Sequence, residues 1–283
     1  MRFVRFMNYP VALVAALFSS TVYFAYAGSF DDAVGARASA LGNHTSALSD
    51  GFSVHNNQAG IGFLKKFSFG ISAKNKFLVK ELTVADAAAI FPTKTGVFGL
   101  GIHYTGTSPF SERKIGAAFA KNFGNRFSFG LQFDYLNISI SEYGSKNLFT
   151  FEAGLQFFLV QEKLLIGAHI NNPLRLTINE DANEKLPTVM RFGLNYMPSK
   201  KVAALAEVEK DIDYAPVYKF GLEYLPVEKL AIRGGVNASP FQGFFGVGLI
   251  LKNVVIDAAS ALHPVLGVSP QISIAYAIRK EDK

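Results

Sequence analysis

The side chains of this sequence that are best suited to catalysis or metal binding are its five histidines, and their spacing assembles no site. They are His44, His55, His103, His169 and His263. Metal sites need several ligands at short, recurring separations, as in His-Glu-x-x-His, and the sequence has no such motif. It also has no Gly-x-Ser-x-Gly nucleophile elbow and no Gly-x-x-x-x-Gly-Lys phosphate-binding loop. We therefore predict a protein that is not an enzyme and that needs no metal or cofactor.

The charged side chains are more informative, because many stand at the polar positions of runs in which polar and apolar residues alternate. Such alternation places the polar residues of one run on one face of a strand. Opposite charges at close quarters pair and fill space, whereas an open ion channel shows one dominant sign. We predict that the following side chains line a largely occluded interior: Arg126, Asp134, Glu152, Arg191, Glu207, Lys219, Glu223, Arg233 and Asp257.

The alternating runs are the elements that must position these charges. In one of them Phe129, Leu131 and Phe133 alternate with Gly130 and Gln132. The run at 83–91 is ambiguous, because its alanines could equally form a helix. Marking every run predicts about fourteen strands, at 67–76, 83–91, 96–104, 113–122, 126–139, 148–158, 163–170, 187–197, 200–211, 216–226, 229–238, 243–251, 253–260 and 267–278.

Two all-β architectures fit this alternation: a soluble β-sandwich and a transmembrane β-barrel. The sequence is 49% hydrophobic, only 18% charged, and contains 27 phenylalanines. Its less apolar strand face is rich in glycine, which weakens a water-facing strand but relieves crowding inside a barrel. We therefore predict a transmembrane antiparallel β-barrel over 65–283, closed so that no strand edge meets lipid. The connections are short, and we expect no long loop folded into the barrel.

The first 27 residues are typical of a secretory signal peptide. Arg2 and Arg5 precede a short apolar run, and Ala25, Tyr26 and Ala27 form a cleavage site that ends before Gly28. A membrane anchor is the alternative interpretation, although the apolar run is short for one. The absence of cysteine excludes a lipoprotein, because lipid attachment requires a cysteine at the cleavage point.

Residues 28–64 differ from the rest, since they lack aromatic alternation and are rich in Ala, Ser, Gly and Asn. They could form a flexible tail or a plug inside the barrel. Phe52, Val54, Ile61 and Phe63 would be costly to leave in water, which favours an N-terminal hatch or plug.

The formal net charge of +6 does not indicate nucleic-acid binding. The basic residues are scattered among acidic ones along the chain, whereas a nucleic-acid interface needs a basic stripe on one face. We expect outer-membrane lipid to be one partner and the barrel-assembly machinery to be another during insertion.

Short motifs along the mature sequence resemble a known family. The N-terminal ones contain Arg37 and Gly42, and then Asn57, Ala59 and Gly60. Together with Phe192-Gly193-Leu194-Asn195-Tyr196, Phe220-Gly221-Leu222-Glu223-Tyr224 and the segment 230–235, they resemble PorV/PorQ-type outer-membrane proteins of the FadL-like fatty-acid transporter superfamily. One departure is Gln58, which stands where the family has proline and leaves the turn without a proline-fixed backbone.

The resemblance implies a fourteen-stranded barrel with an N-terminal hatch, and two alternative functions. PorV/PorQ-type proteins serve type IX secretion in Bacteroidetes-like bacteria, where they bind exported cargo or attachment machinery. FadL-type proteins pass long-chain fatty acids or other hydrophobic small molecules inward. We favour the secretion or attachment role, because the predicted interior is charged and glycine-lined, and a hydrophobic ligand needs an apolar path.

Overall fold

The computed structural model describes residues 32–107, 109–179, 184–238 and 240–278. The predicted signal peptide 1–27, its cleavage point between Ala27 and Gly28, and residues 28–31 of the predicted hatch lie outside the described residues. The described N-terminal part contains two short α-helices, α1 (Ala36–Ala40) and α2 (Ser53–Asn56), and a 3₁₀-helix, Gln58–Phe63. Two further 3₁₀-turns, Lys76–Leu78 and Lys80–Leu82, follow the first strand.

Strands make up the rest of the described chain. In chain order they are β1 (Ser68–Asn75), β2 (Thr83–Pro92), β3 (Val97–Thr107), β4 (Phe110–Phe123), β5 (Phe127–Ile140), β6 (Gly144–Val160), β7 (Leu164–Asn171), β8 (Thr177–Asn179), β9 (Glu184–Lys185), β10 (Val189–Ser199), β11 (Val202–Asp211), β12 (Val217–Val227), β13 (Leu230–Ala238), β14 (Phe241–Ile250), β15 (Val254–His263) and β16 (Gly267–Ala277).

All strands except β8 and β9 form one closed antiparallel barrel, in which β1 pairs with both β2 and β16. Closure leaves no unpaired edge, as a lipid-embedded sheet requires. The prediction of an all-β transmembrane barrel of about fourteen strands is confirmed. The ambiguous run at 83–91 is a strand, β2, rather than a helix.

The two faces of the barrel differ as the alternation predicts. On β5, Phe129, Leu131 and Phe133 are exposed on the outside, whereas Gln132 and Asp134 are buried on the inside. The outside is therefore an apolar belt of phenylalanine, leucine, isoleucine and tyrosine. None of the helices in the described ranges is long and apolar enough to cross a membrane.

The two ends of the barrel are connected differently. At one end, which we call the turn end, neighbouring strands are joined by the tight connections 93–96, 124–126, 161–163, 200–201, 228–229 and 251–253. At the other end, the loop end, the longest connection is 172–188. In bacterial membrane barrels the short turns face the periplasm and the longer loops face outward.

The expectation that no loop folds into the barrel is wrong for the connection 172–188. Its Leu176, Ile178 and Leu186 pack against the inward-facing Leu136 and Leu148 of β5 and β6. The Asn172 amide fixes the loop by donating to the Leu186 and Pro187 carbonyl oxygens, at 2.8 and 3.2 Å. The acidic, asparagine-rich composition of this loop concealed the three apolar residues that turn it inward.

The cost of an arginine on the outer face should depend on its depth in the apolar belt. Phe133 lies near the middle of β5 and is 75% exposed, whereas Phe123 is the last residue of β4 and is 50% exposed. Phe133→Arg should lower the free energy of unfolding by about 2–4 kcal/mol and Phe123→Arg by about 0–1 kcal/mol. Denaturant titrations of both variants refolded into lipid vesicles measure this difference, and equal losses would contradict a lipid-facing belt.

Candidate functional site

Residues 33–64, which we call the inner segment, lie within the barrel; most of them are buried and none is exposed. Helix α1 packs against β13, β14, β15 and β16, whereas the 3₁₀-helix Gln58–Phe63 packs against β3, β4, β5 and β6. The inner segment therefore contacts the wall on opposite sides. Its apolar residues Phe52, Val54 and Ile61 form a core with the inward faces of β2, β3 and β4.

Glycines of the wall allow the backbone of the inner segment to approach it closely. A Cβ atom at Gly221 would lie 2.7 Å from the Leu41 carbonyl oxygen, and one at Gly130 would lie 2.5 Å from the Ala59 nitrogen. Real Cβ atoms do not tolerate such distances, so these positions accept only glycine unless the inner segment moves. The glycine-rich inner face is thus the surface on which this segment rests.

The predicted hatch motif makes specific contacts with the wall. The Arg37 guanidinium donates to both carboxylate oxygens of Glu223, at 2.8 and 3.0 Å, and also pairs with Asp50 at 3.4 Å. Gly42 follows α1 with φ of +77°, a left-handed conformation that favours glycine, and a Cβ there would lie 2.9 Å from the Phe220 carbonyl oxygen. These contacts tie the first half of the inner segment to β12.

The second half of the motif is a turn that uses side-chain amides. The Asn57 amide donates to the carbonyl oxygens of Ser46, Leu155 and Ala168, at 2.6, 3.3 and 3.2 Å. Its carbonyl oxygen accepts from the Ala59 nitrogen at 3.1 Å, and the Gly60 nitrogen donates to the Asn57 backbone oxygen at 2.9 Å.

Gln58, which replaces the proline of the family motif, adds a contact that proline could not make. Its side-chain amide donates to the Glu152 carboxylate at 2.6 Å and to the Val54 carbonyl oxygen at 3.2 Å. The turn is therefore held by hydrogen bonds to the barrel wall instead of by a proline ring.

Glu152 is the centre of one buried group of charges. Its carboxylate accepts from Lys114 and lies 3.0 Å from the His169 Nε2 atom. Asp134 lies beside this group, where it accepts from the Gln132 amide at 2.8 Å. His169, like His103 with its 2.6 Å contact to Asp86, lies beside a carboxylate. No group of three or more His, Asp or Glu in the described ranges could hold a metal ion.

Glu207 is the centre of a second buried group and holds the inner segment by its backbone. One carboxylate oxygen accepts from the nitrogens of Thr45 and Ser46, at 2.9 and 2.7 Å, and from the Ser46 hydroxyl at 2.6 Å. The other oxygen accepts from Lys219 at 3.1 Å. Lys219 also donates to Glu209 at 2.7 Å, and Arg191 donates to the same Glu209 carboxylate at 2.6 Å.

A third group lies near the turn end. Arg233 donates to Glu223 and to Asp257, each at 2.6 Å, and Glu223 in turn accepts from Arg37. Two arginines and two carboxylates thus alternate along a chain of hydrogen bonds. Each charge has a partner of opposite sign, which a buried ion needs to offset the loss of hydration.

Arg126 departs from the predicted interior position. Its side chain is exposed, and its guanidinium carbon lies 5.7 Å from the ring centroid of the outward-facing Phe157. Arg126 belongs to the turn before β5, where the alternation that assigns faces within a strand does not apply. The sequence reasoning also missed Lys114, although it shares the inward face of β4 with Gly116, Ala118 and Ala120.

A cavity of about 770 Å³ lies at the turn end, between the inner segment and the wall. Phe52, Phe63 and Leu64 of the inner segment and Ile250 and Val255 of the wall give it an apolar side. The Arg37–Glu223–Arg233–Asp257 group forms its polar side, and the exposed residues Lys65, Lys66, Lys200 and Lys252 also line it.

A second cavity of about 380 Å³ lies at the loop end and is bordered by Asn43 of the inner segment and by Asp32, the residue just before it. Its apolar lining includes Phe77, Leu82 and Phe110. Asp32 pairs there with Lys76 at 2.6 Å and with Lys74 at 3.6 Å.

Solved structures of two bacterial toluene transporters share the architecture of this barrel. No family model matches the chain, and no curated protein matches it in sequence. The Pseudomonas putida toluene transporter TodX superposes with a TM-score of 0.62 at 13% identity, over 87% of this chain and 98% of that one. The Ralstonia pickettii toluene transporter TbuX gives a TM-score of 0.63 at 14% identity, over 89% and 99%. This chain therefore shares the fold of TodX and TbuX.

A FadL homologue of Pseudomonas aeruginosa has the same fold, with a TM-score of 0.64 at 10% identity over 87% of this chain and 98% of that one. Identities this low establish a common fold and do not transfer a substrate. The resemblance in sequence to FadL-like proteins is therefore supported at the level of the barrel, and the narrower PorV/PorQ likeness is not.

Removing the Glu207 carboxylate should destabilise the folded protein strongly. Glu207→Ala leaves the buried Thr45 and Ser46 nitrogens without their acceptor and removes one partner of Lys219. We expect a loss of about 3–5 kcal/mol in the free energy of unfolding. Glu228→Ala, at an exposed turn, is the matched control and should change it by less than about 0.5 kcal/mol. Similar effects of the two substitutions in vesicle unfolding titrations would contradict the role of Glu207 as an anchor.

The anchoring of the inner segment should weaken in acid because of His44. Its ring is fully buried, and burial lowers its pKa from 6.5 to about 4, against the attraction of Glu207 3.8 Å away and with a further lowering by Lys219 and Arg37. The unfolded chain therefore binds a proton first, so the stability that the neutral ring provides is complete above about pH 6.5 and is lost as the pH falls toward about 4.

The measurement compares wild type with His44→Gln, whose side chain does not titrate. Between pH 7.5 and pH 4.5 the wild type should lose about 2–3 kcal/mol more free energy of unfolding than the variant. Parallel pH profiles for the two proteins would contradict this, because they would mean that His44 binds a proton equally well in the folded and the unfolded chain.

Proposed function

We propose that the protein is a channel in the outer membrane of a Gram-negative bacterium, that it takes up small hydrophobic molecules, and that the inner segment is its hatch. The observation that carries this proposal is the cavity of about 770 Å³ that lies between the inner segment and the barrel wall. Cavities of about 300–1,000 Å³ are typical of small-molecule sites. TodX and TbuX, which have the same fold, are toluene transporters.

The apolar side of the cavity supplies the attraction for a hydrophobic ligand. Phe52, Phe63, Ile250 and Val255 offer surface that a ligand can cover in place of water, at about 25 cal/mol for each Å² of apolar area removed from water. The charges of the Arg37–Glu223–Arg233–Asp257 group on the other side are already paired with each other, so an incoming ligand need not neutralise them. The remaining charges of the lining, Lys65, Lys66, Lys200 and Lys252, are exposed and keep their hydration.

The hatch function follows from the position of the inner segment between the two cavities. A molecule passing from the loop-end cavity to the turn-end cavity must move past residues that are fixed to the wall by Glu207, Glu223 and Asn57. Passage therefore requires part of the inner segment to shift. The closed arrangement described above is the resting state of such a channel.

This proposal reverses the preference for secretion that the sequence suggested. That preference depended on a charged, glycine-lined interior with no apolar path. The charged side chains of the wall, however, are paired with each other or with groups of the inner segment. The backbone of the inner segment covers the glycines. Phe52 and Phe63 then supply the apolar surface that the strands lack.

A PorV/PorQ-like role in type IX secretion or surface attachment is the second candidate. One observation favours it: Tyr143 and Val265 are 88% and 85% exposed in two turns at the loop end, where a protein partner could cover them. A Bacteroidetes-like source belongs to this candidate, and its partners would be secretion-system proteins or exported cargo.

A reversible tether between hatch and wall tests the transport proposal, since the chain has no native cysteine. A Cβ atom at Gly62 would lie 3.4 Å from the Ser128 Cβ atom, close to the separation that a disulfide needs. Gly62→Cys combined with Ser128→Cys should abolish uptake of labelled toluene or oleate by a deletion strain when oxidised. Reduction should restore uptake. The reduced double variant is the control for the two new side chains, because a Cβ atom at Gly62 crowds the Ser128 hydroxyl and Ser128→Cys removes a hydrogen bond to the Ala59 carbonyl oxygen.

Two outcomes would contradict the proposal. Full uptake by the oxidised double variant would show that this part of the inner segment does not gate transport. A deletion strain with normal uptake but an altered set of secreted and surface-attached proteins would favour the secretion role instead.

A further inference from the structure

Basic residues that are scattered in the sequence come together at the turn end of the barrel. The six turns there, the strand residues beside them and the residues preceding β1 contain ten basic side chains but only two acidic ones, Glu162 and Glu228. The ten, which we call the basic rim, are Lys65, Lys66, Lys94, Lys121, Arg126, Lys163, Lys200, Lys201, Lys229 and Lys252.

The basic rim is exposed and its charge is not neutralised within the protein. All ten side chains are exposed. None of them joins an ion pair in the part of the chain that the structure describes. Ten like charges at one end repel one another, so an external anion is needed to offset the repulsion.

The loop end lacks this imbalance. Its cations are accompanied by acidic residues, as in the pairs of Lys76 with Asp32 and of Arg175 with Asp213. Further acids lie at the loop end, in its connections or at the strand ends beside them: Glu81, Glu142, Glu184 and Asp211. The excess of positive charge is therefore a property of the turn end and not of the surface in general.

Two residues of the basic rim lie directly against the apolar belt, at the boundary where lipid head groups are expected. Lys121 faces outward on β4, with its ammonium nitrogen 5.8 Å from the ring centroid of Phe123. Arg126 lies in the same way over Phe157. Long basic side chains at such a boundary keep their stems on apolar surface and extend their charge to the head groups.

The distribution around the barrel identifies the partner. Every one of the six turns, or a strand end beside it, carries at least one basic residue, so the rim is a closed ring. Lys65, Lys66, Lys200 and Lys252 also line the turn-end cavity, and the other six lie outside it. A protein partner would contact one arc of this ring, whereas the lipid around the barrel surrounds it on every side. We propose that the basic rim binds the phosphate head groups of anionic phospholipids in the leaflet at the turn end.

The proposal goes beyond transport and is tested without it. The purified full-length protein is reconstituted in nanodiscs of zwitterionic lipid containing a minor fraction of phosphatidylglycerol. Lipids that remain bound are counted by native mass spectrometry. The wild type should retain phosphatidylglycerol at about threefold or more above its share of the bilayer, and 0.5 M salt should reduce this enrichment.

Two variants with the same loss of charge separate the rim from the rest of the surface. The first variant neutralises the six rim residues that do not line the turn-end cavity. Its substitutions are Lys94→Gln, Lys121→Gln, Arg126→Gln, Lys163→Gln, Lys201→Gln and Lys229→Gln. The second neutralises six loop-end residues, by Lys80→Gln, Arg113→Gln, Lys146→Gln, Arg175→Gln, Lys185→Gln and Lys210→Gln.

The first variant should lose the enrichment and the second should keep it, with both shown to be folded by their heat-dependent mobility on gels. Equal enrichment in the two variants, or none in the wild type, would overturn the proposal. Uptake of toluene does not enter this measurement, so a failure here leaves the transport proposal intact, and a failure of transport leaves the lipid result standing.

Discussion

The pairing of β1 with β16 is the contact on which the rest of the structure depends. Hydrocarbon offers no hydrogen-bond partner, so every backbone N–H and C=O group in the membrane must be satisfied within the sheet. A fourteen-stranded sheet meets this condition only by closing on itself. Closure then creates an interior that must be either filled or left open to water, and here it is filled by the inner segment and its ion pairs.

The presence of the inner segment inside the barrel explains two features of the wall, its many glycines and its buried charges, which would otherwise destabilise the protein. Glycine weakens a strand, yet the strands of this barrel carry it where the backbone of the inner segment presses against them, as at Gly221 and Gly130. Charged groups are costly to bury, yet Glu207 and Glu152 are buried, because each meets several donors from both the wall and the inner segment. Both features fix where the inner segment lies.

The fold could be predicted from the sequence because it depends on a local property, the two-residue period of a strand. The period assigned Asp134, Glu152, Arg191, Lys219, Glu223, Arg233 and Asp257 to one face, and these side chains are buried on the inward face of their strands. The period could not show which charges meet, because Arg37 and Glu223 are far apart in the chain. It also carried no information about Arg126, which lies in a turn, or about the apolar residues of the 172–188 loop. The cavity was equally hidden, since its walls come from the inner segment and from distant strands.

The close fit between the glycines of the wall and the backbone of the inner segment has a consequence for assembly. A barrel that closed without the inner segment would leave Glu207, Glu223 and the strand glycines facing an empty interior, without the partners that they have here. The wall and the inner segment are therefore complementary, and assembly is complete only when both are in place.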